Sequence, residues 1–184
     1  MLWDTHLHSD FSHDSKTSME TMISAARLQN LSGICFTEHL DMKIEKDSVF
    51  FPLNLNAYMK KCRQLSEKQD IPVCTGIEFS IHPTLSSHLQ KLVDSHEFDF
   101  IIGSCHTIPK MNFGETEMDR CKAEDQMYAD YLLTILESIK TFDGYDVCGH
   151  IDYVVRYGPN RNMYYSYEKF ADIIDEILRI IIDR

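Results

Sequence analysis

The chain has 184 residues, 43% hydrophobic, 11% aromatic and 26% charged, a composition that suits one folded domain and excludes disordered and fibrous classes. Eighteen Lys and Arg face 29 Asp and Glu, for a net charge of −11, so the surface repels polyanions and neither nucleic acid nor an acidic membrane is an expected partner. No apolar run approaches the roughly 18 residues of a membrane span, and the start, Met1-Leu2-Trp3-Asp4, carries no secretion signal, which makes the cytoplasm the expected location.

Short apolar runs alternate with amphipathic stretches, which predicts an α/β fold. Residues 2–8 read as a strand ending in His6-Leu7-His8. A helix is expected from Thr17, with Glu20 completing a capping box and Met19, Met22, Ile23 and Ala26 on one face. A second strand, 33–39, ends in Glu38-His39, and Leu55, Tyr58, Met59, Cys62 and Leu65 then form a helical stripe. The third strand, 73–79, carries Glu78 near its end and leads to a shorter helix with Leu85, Leu89, Leu92 and Val93. The fourth, 98–106, ends in His106 and precedes a long helix bearing Met127, Tyr131, Ile135 and Ile139, which stops near Asp143-Gly144. The fifth, 145–150, ends in His150. From about Ser166 a last helix places Phe170, Ile173, Ile174, Ile177, Leu178 and Ile181 on its apolar face. It has no terminating Gly, Asn or Pro, so a cut within a longer protein is the expectation.

All five strand-like runs carry a His or Glu at or next to their last residue. In parallel β/α folds the loops at the carboxyl ends of the strands converge on one face, where active sites lie. A single H-x-H is expected about 0.4 times by chance here, but His6 and His8, two apart on a strand, point the same way, as two ligands of one ion must. A His and carboxylate set without thiolate suits Zn, Mn or Fe in a hydrolytic site. The six Cys, at 35, 62, 74, 105, 121 and 148, form no C-x-x-C pair and read as buried, reduced thiols. His13 stands beside Asp14 as a rival loop ligand. Glu38 and Asp152 are open between support of a ligand and a purely structural role. His82, His88 and His96 read as ordinary helix or loop residues. Arg156, six residues beyond His150, is a candidate phosphate clamp, because guanidinium grips phosphate through two parallel hydrogen bonds. Tyr153, Tyr157, Tyr164, Tyr165 and Tyr167 either line a pocket or pack. Glu115, Glu117 and Asp119 form an acidic segment that either meets a cationic amine or is a solvated loop.

His6-x-His8, Asp14 in Ser12-His13-Asp14-Ser15, Thr37-Glu38-His39, Gly76-Ile77-Glu78-Phe79, Gly103-Ser104-Cys105-His106 and Gly149-His150-Ile151-Asp152 follow one another in an order that resembles the PHP (polymerase and histidinol phosphatase) superfamily. The run 149–160, GHIDYVVRYGPN, resembles its histidinol-phosphatase branch. The resemblance implies a distorted (β/α)7 TIM-like barrel, here cut to about five β/α units, as a single PHP domain over 1–184. It implies two to three divalent metal ions (Zn, Mn or Fe). One ion would be held by His6, His8 and Glu78, a second by Glu78, His106 and His150, and a third by Asp14 and His39. The family completes the first and third sites with a later Asp-x-His, which is absent after His150. Metal-bridging hydroxide would attack a small phosphomonoester, with the ions neutralising the phosphoryl oxygens and Glu78 as the bridging ligand. The implied activity is histidinol-phosphate phosphatase of histidine biosynthesis. The other readings are a PHP phosphoesterase on another substrate and a metal-binding fragment without turnover.

Overall fold

Strands and helices alternate along the chain as the periodicity requires. A computed structural model describes residues 1–42, 44, 52–68, 70–108, 117–163 and 165–184, without the side chains of 117–122 and 162. The strands are β1 (Trp3–Leu7), β2 (Gly33–Phe36), β3 (His39–Leu40), β4 (Val73–Ser80), β5 (Phe100–Ser104) and β6 (Val147–Cys148), in the order β1-β2-β4-β5-β6 with β3 also paired to β4. The helices are α1 (Met19–Leu28), α2 (Leu55–Ser66), α3 (Ser86–Ser95), α4 (Glu117–Thr141) and α5 (Tyr167–Ile182). Contacts divide the chain into two compact units, one of 1–80, 91–103 and 144–147, the other of 81–90, 104–143 and 148–184.

In the first unit β1 pairs with β2, and β2 and β3 with β4, all in parallel. The expected strand 33–39 is two strands, which raises the count from five to six. The ladder breaks at Thr37, whose hydroxyl takes the bond from Leu7 N (3.0 Å) while Thr37 N donates to Leu7 O (2.8 Å). Glu38 can then turn inward and His39 restarts the ladder opposite Glu78. Helix α1 is capped by Ser18 rather than Thr17. Its hydroxyl accepts from Thr21 N (3.3 Å), and the Glu20 carboxylate of the expected capping box is drawn instead to Lys61 of α2. Met19, Ile23 and Ala26 are buried, as their spacing requires. Tyr58 of α2 is fully buried, and its hydroxyl shares one proton between the carbonyl oxygens of Phe36 (2.8 Å) and Gly76 (2.7 Å). A Cβ at Gly76 would lie 2.7 Å from Cys35 Sγ and Thr37 Cγ2, so only glycine lets the strands approach here.

In the second unit α4 packs along α5, burying Met127, Tyr128, Tyr131, Ile135 and Ile139 with Phe170, Ile174 and Ile177. Each buried Ile or Phe contributes about 1.5–3 kcal/mol. Leu178, expected on the apolar face, is on the solvent side, 42% exposed, because the buried stripe follows Phe170-Ile174-Ile177. A 3-10 turn, Pro83–Leu85, precedes α3, and His82 caps it by accepting from Thr84 N (3.3 Å). Cys35, Cys62, Cys74, Cys105 and Cys148 are free thiols. Burial pushes those of Cys62 and Cys148 up to about 11 and that of Cys105 to about 12, which makes them inert packing groups. Among the described residues no helix is long and apolar enough to cross a membrane.

Candidate metal centre and anion cleft

Register places the donors of the first unit. Residues opposite one another on parallel strands share a face, so His39 on β3 stands beside Glu78 on β4, with Nδ1 3.0 Å from Glu78 Oε2. The end of β1 brings His6 Nε2 to 3.3 Å and His8 Nε2 to 3.4 Å from the same oxygen. Three imidazoles thus converge on one carboxylate that is fully buried. His8 and His39 stack with ring centroids 4.1 Å apart. Asp14 Oδ2 lies 3.3 Å from His39 Nε2, and the His13 ring stands 5.5 Å from that of His39.

This donor set fits a divalent metal ion. His8, His39 and Glu78 each offer a ligand atom, all within 4.8 Å of one another, a spread that bonds of about 2.0–2.2 Å can span. Burial, and next the neighbouring His39, lower the His8 pKa to about 4, so its ring is neutral at pH 7, the form that donates a lone pair to a metal. The other nitrogen of that ring, Nδ1, is buried without a hydrogen-bond partner among the described residues, a state a bound cation would relieve.

The loop after β1 is held from below. Glu38 is fully buried. It accepts bonds from Ser9 N (2.9 Å), Ser9 Oγ (2.5 Å) and Ser12 Oγ (2.5 Å), and Ser12 Oγ also accepts from His39 N (2.9 Å). Burial pushes the Glu38 carboxyl up, while the bonds from Ser12 and Ser9 oppose the shift. One side chain therefore fixes the loop that carries Asp14 to the backbone of His39. A cavity of about 210 Å³ opens beside it, lined by Asp10, Phe11, Ser12, His13, His39 and Pro52.

In the second unit His106 and His150 follow β5 and β6 by two residues each. Their rings lie 5.5 Å apart, and Tyr153 contacts both, at 5.3 and 4.9 Å. Tyr153 opens a 3-10 turn, Tyr153–Tyr157, that puts Arg156 over its ring at 5.4 Å. A cleft of 580 Å³ is lined by His150, Asp152, Tyr153, Val155, Arg156 and Arg161. Asp152 makes no side-chain cap bond to the turn and faces this cleft.

Of the tyrosines grouped in the sequence, Tyr157 bonds Tyr153 through their hydroxyls (2.6 Å), Tyr165 packs on Tyr128 and Phe170, and Tyr167 bonds Asp175 (2.7 Å). Tyr164, Glu115 and the side chains of Glu117 and Asp119 lie outside the described residues. Sequence reasoning passed over Ser9, Ser12, Glu124, Tyr128, Asn160 and Arg161. The S-x-x-S spacing of Ser9 and Ser12 carries no signal until the glutamate 26 to 29 positions away is known to turn inward.

The family model described as PHP domain matches residues 4–184. A histidinol-phosphatase of Lactococcus lactis subsp. lactis is 34% identical over 181 residues, 97% of this chain and 66% of the relative. A Clostridium acetobutylicum protein carrying the name probable histidinol-phosphatase is 30% identical over 184 residues, 100% of this chain and 70% of the relative. A crystal structure of the Lactococcus lactis histidinol phosphate phosphatase, complexed with Zn, L-histidinol and phosphate, superposes with a TM-score of 0.85, covering 99% of this chain and 70% of that one. The chain thus spans about two thirds of the length of the curated relatives it matches. Over that span the fold is the α/β, TIM-like one of that structure. With the match running from Asp4 to the last residue and full-length coverage at 30% identity, the chain belongs to the PHP domain family, in its histidinol-phosphatase branch.

Proposed function

We propose that the chain is a metal-dependent phosphomonoesterase acting on L-histidinol phosphate, which it hydrolyses to L-histidinol and phosphate. The observation that carries this reading is the buried Glu78 oxygen ringed by His6, His8 and His39 at 3.0–3.4 Å. It is supported by relatives named histidinol-phosphatase and by a similar structure that holds Zn, L-histidinol and phosphate. The proposed metal ligands are His6, His8, Asp14, His39 and Glu78 in the first unit and His106 and His150 in the second. About two to three ions of Zn, Mn or Fe fit this number of donors. Bound there, such ions would lower the pKa of water and offset charge on phosphoryl oxygens.

The chain's own residues supply position. Glu78, buried on β4, presents one oxygen to three rings with its side chain already confined by burial. Glu38 keeps the loop of Asp14 against His39. Arg156 in the cleft of His150 is the proposed grip on the phosphoryl group.

The test is elemental analysis of the purified protein together with phosphate release from histidinol phosphate and from p-nitrophenyl phosphate. About two to three equivalents of metal and preferred turnover of histidinol phosphate are expected. Less than one equivalent in folded protein overturns the metal assignment. Turnover of the aryl ester alone points to another phosphoester, and full metal without release from either points to a metal-binding chain without turnover.

A further inference from the structure

The carboxylate of Glu124 is fully buried on α4, in the second unit, and is not among the proposed metal ligands. A buried carboxylate is retained at a free-energy penalty unless it is well paired, and this one is paired with the segment that follows Arg156 and with Tyr128 of its own helix. It accepts bonds from Asn160 N (3.2 Å) and Asn160 Nδ2 (2.9 Å). One turn along α4, the hydroxyl of Tyr128 lies 2.6 Å from Glu124 Oε1 and 2.5 Å from the carbonyl oxygen of Arg161, and its single proton serves both acceptors. Burial, and then Glu124, push the Tyr128 phenol well above its ordinary range, so it stays a donor. Gly158 completes the fit, since a Cβ there would fall into the Glu124 carboxylate and the Tyr128 hydroxyl.

What this clamp holds is Arg161. Its φ is 52°, in the left-handed region that a residue with a long side chain rarely adopts. That backbone sets its side chain on the 580 Å³ cleft of His150 and Arg156. Among the described residues no carboxylate pairs with the Arg161 guanidinium. Asp152 is the acidic residue of the cleft lining.

We propose that Arg161 is a second recognition residue for the phosphate dianion, held at the cleft beside Arg156 by the buried Glu124–Tyr128 clamp. Two guanidiniums can offer four or more donors to one phosphoryl group, which a single arginine cannot. The proposal rests on the reading of this cleft as the phosphate site. Glu124 and Tyr128 act through Arg161 and are positioning residues.

The experiment compares R156Q, R161Q, Y128F and the double variant Y128F/R161Q in the metal-loaded protein. It measures the Kd of inorganic phosphate by calorimetry, and kcat and KM with histidinol phosphate. R161Q is expected to weaken phosphate binding and raise KM about tenfold, with kcat changed far less. Y128F should raise KM in the same direction, and the double variant should be no worse than R161Q alone, because the two changes break one arrangement. R161K, which keeps the charge, should recover part of the loss. If R156Q weakens phosphate binding and R161Q does not, the role of Arg161 is overturned while the phosphate site stands. If neither does, the cleft is not the phosphate site and the reading beneath the proposal falls with it. If Y128F adds to R161Q as an independent effect, the clamp is overturned. Circular dichroism and thermal melting identify variants that have lost the fold, and R161Q, an exposed substitution, keeps the test available if Y128F is among them.

Discussion

The two units solve one problem, holding charged side chains still, by different means. In the first, the donors sit at the ends of hydrogen-bonded strands, and the ladder sets the geometry, as His39 opposite Glu78 shows. In the second, Arg156 and Arg161 sit on 3-10 turns, which have no ladder, and for Arg161 long-range bonds from the buried face of α4 replace it. A strand-borne site therefore tolerates changes in its surroundings better than in its ligands. A loop-borne site depends on residues that never touch the ligand.

The comparison breaks first at Glu78. Glu78→Gln removes the charge on which three imidazoles converge, and turnover should be abolished, with a matching loss of bound metal by elemental analysis. Near-normal rates would remove Glu78 from the site. Next comes Glu38, which ties the loop of Asp14 to His39. Glu38→Gln should weaken metal binding by about 10–100-fold in a competition titration with a chelator, and unchanged affinity would show that the loop of Asp14 needs no anchor. Tyr58→Phe leaves the strand ends but takes the shared proton from two buried carbonyls, so denaturant unfolding should show a loss of about 1–3 kcal/mol with metal stoichiometry unchanged. The smallest effect belongs to the surface pair of Arg27 and Asp70, 2.5 Å apart but well exposed. Arg27→Met should shift stability by no more than about 1 kcal/mol, and less in high salt, by the same measurement.

Much of the first unit could be read before any coordinates. His6-x-His8, His39 and Glu78 stand out because strand period and strand end are local properties, and parallel strands bring their carboxyl ends to one side. The boundaries were less legible. The break after Phe36 goes with Thr37 exchanging bonds with Leu7, 30 residues away, while α1 is capped by Ser18 and Glu20 bonds Lys61, 41 residues on. His39 was assigned with Asp14, and it does stand 3.3 Å from it, but its other nitrogen faces Glu78 at 3.0 Å. Spacing alone does not say which way a ring turns.

By itself the sequence determined the α/β alternation, the apolar faces of the helices apart from Leu178, and the positions of His6, His39 and Glu78 near strand ends in the first unit, since each follows from a period of 2 or 3.6 residues and short-range chemistry. Only the tertiary structure decided that Glu38 serves Ser9 and Ser12, that Glu124 and Tyr128 hold the segment of Asn160 and Arg161, and that Arg161 joins Arg156 in one cleft. The hydrogen bonds among these join residues 26 to 36 positions apart through buried polar groups. No local pattern encodes them, because a buried carboxylate takes whatever donors the fold delivers to it.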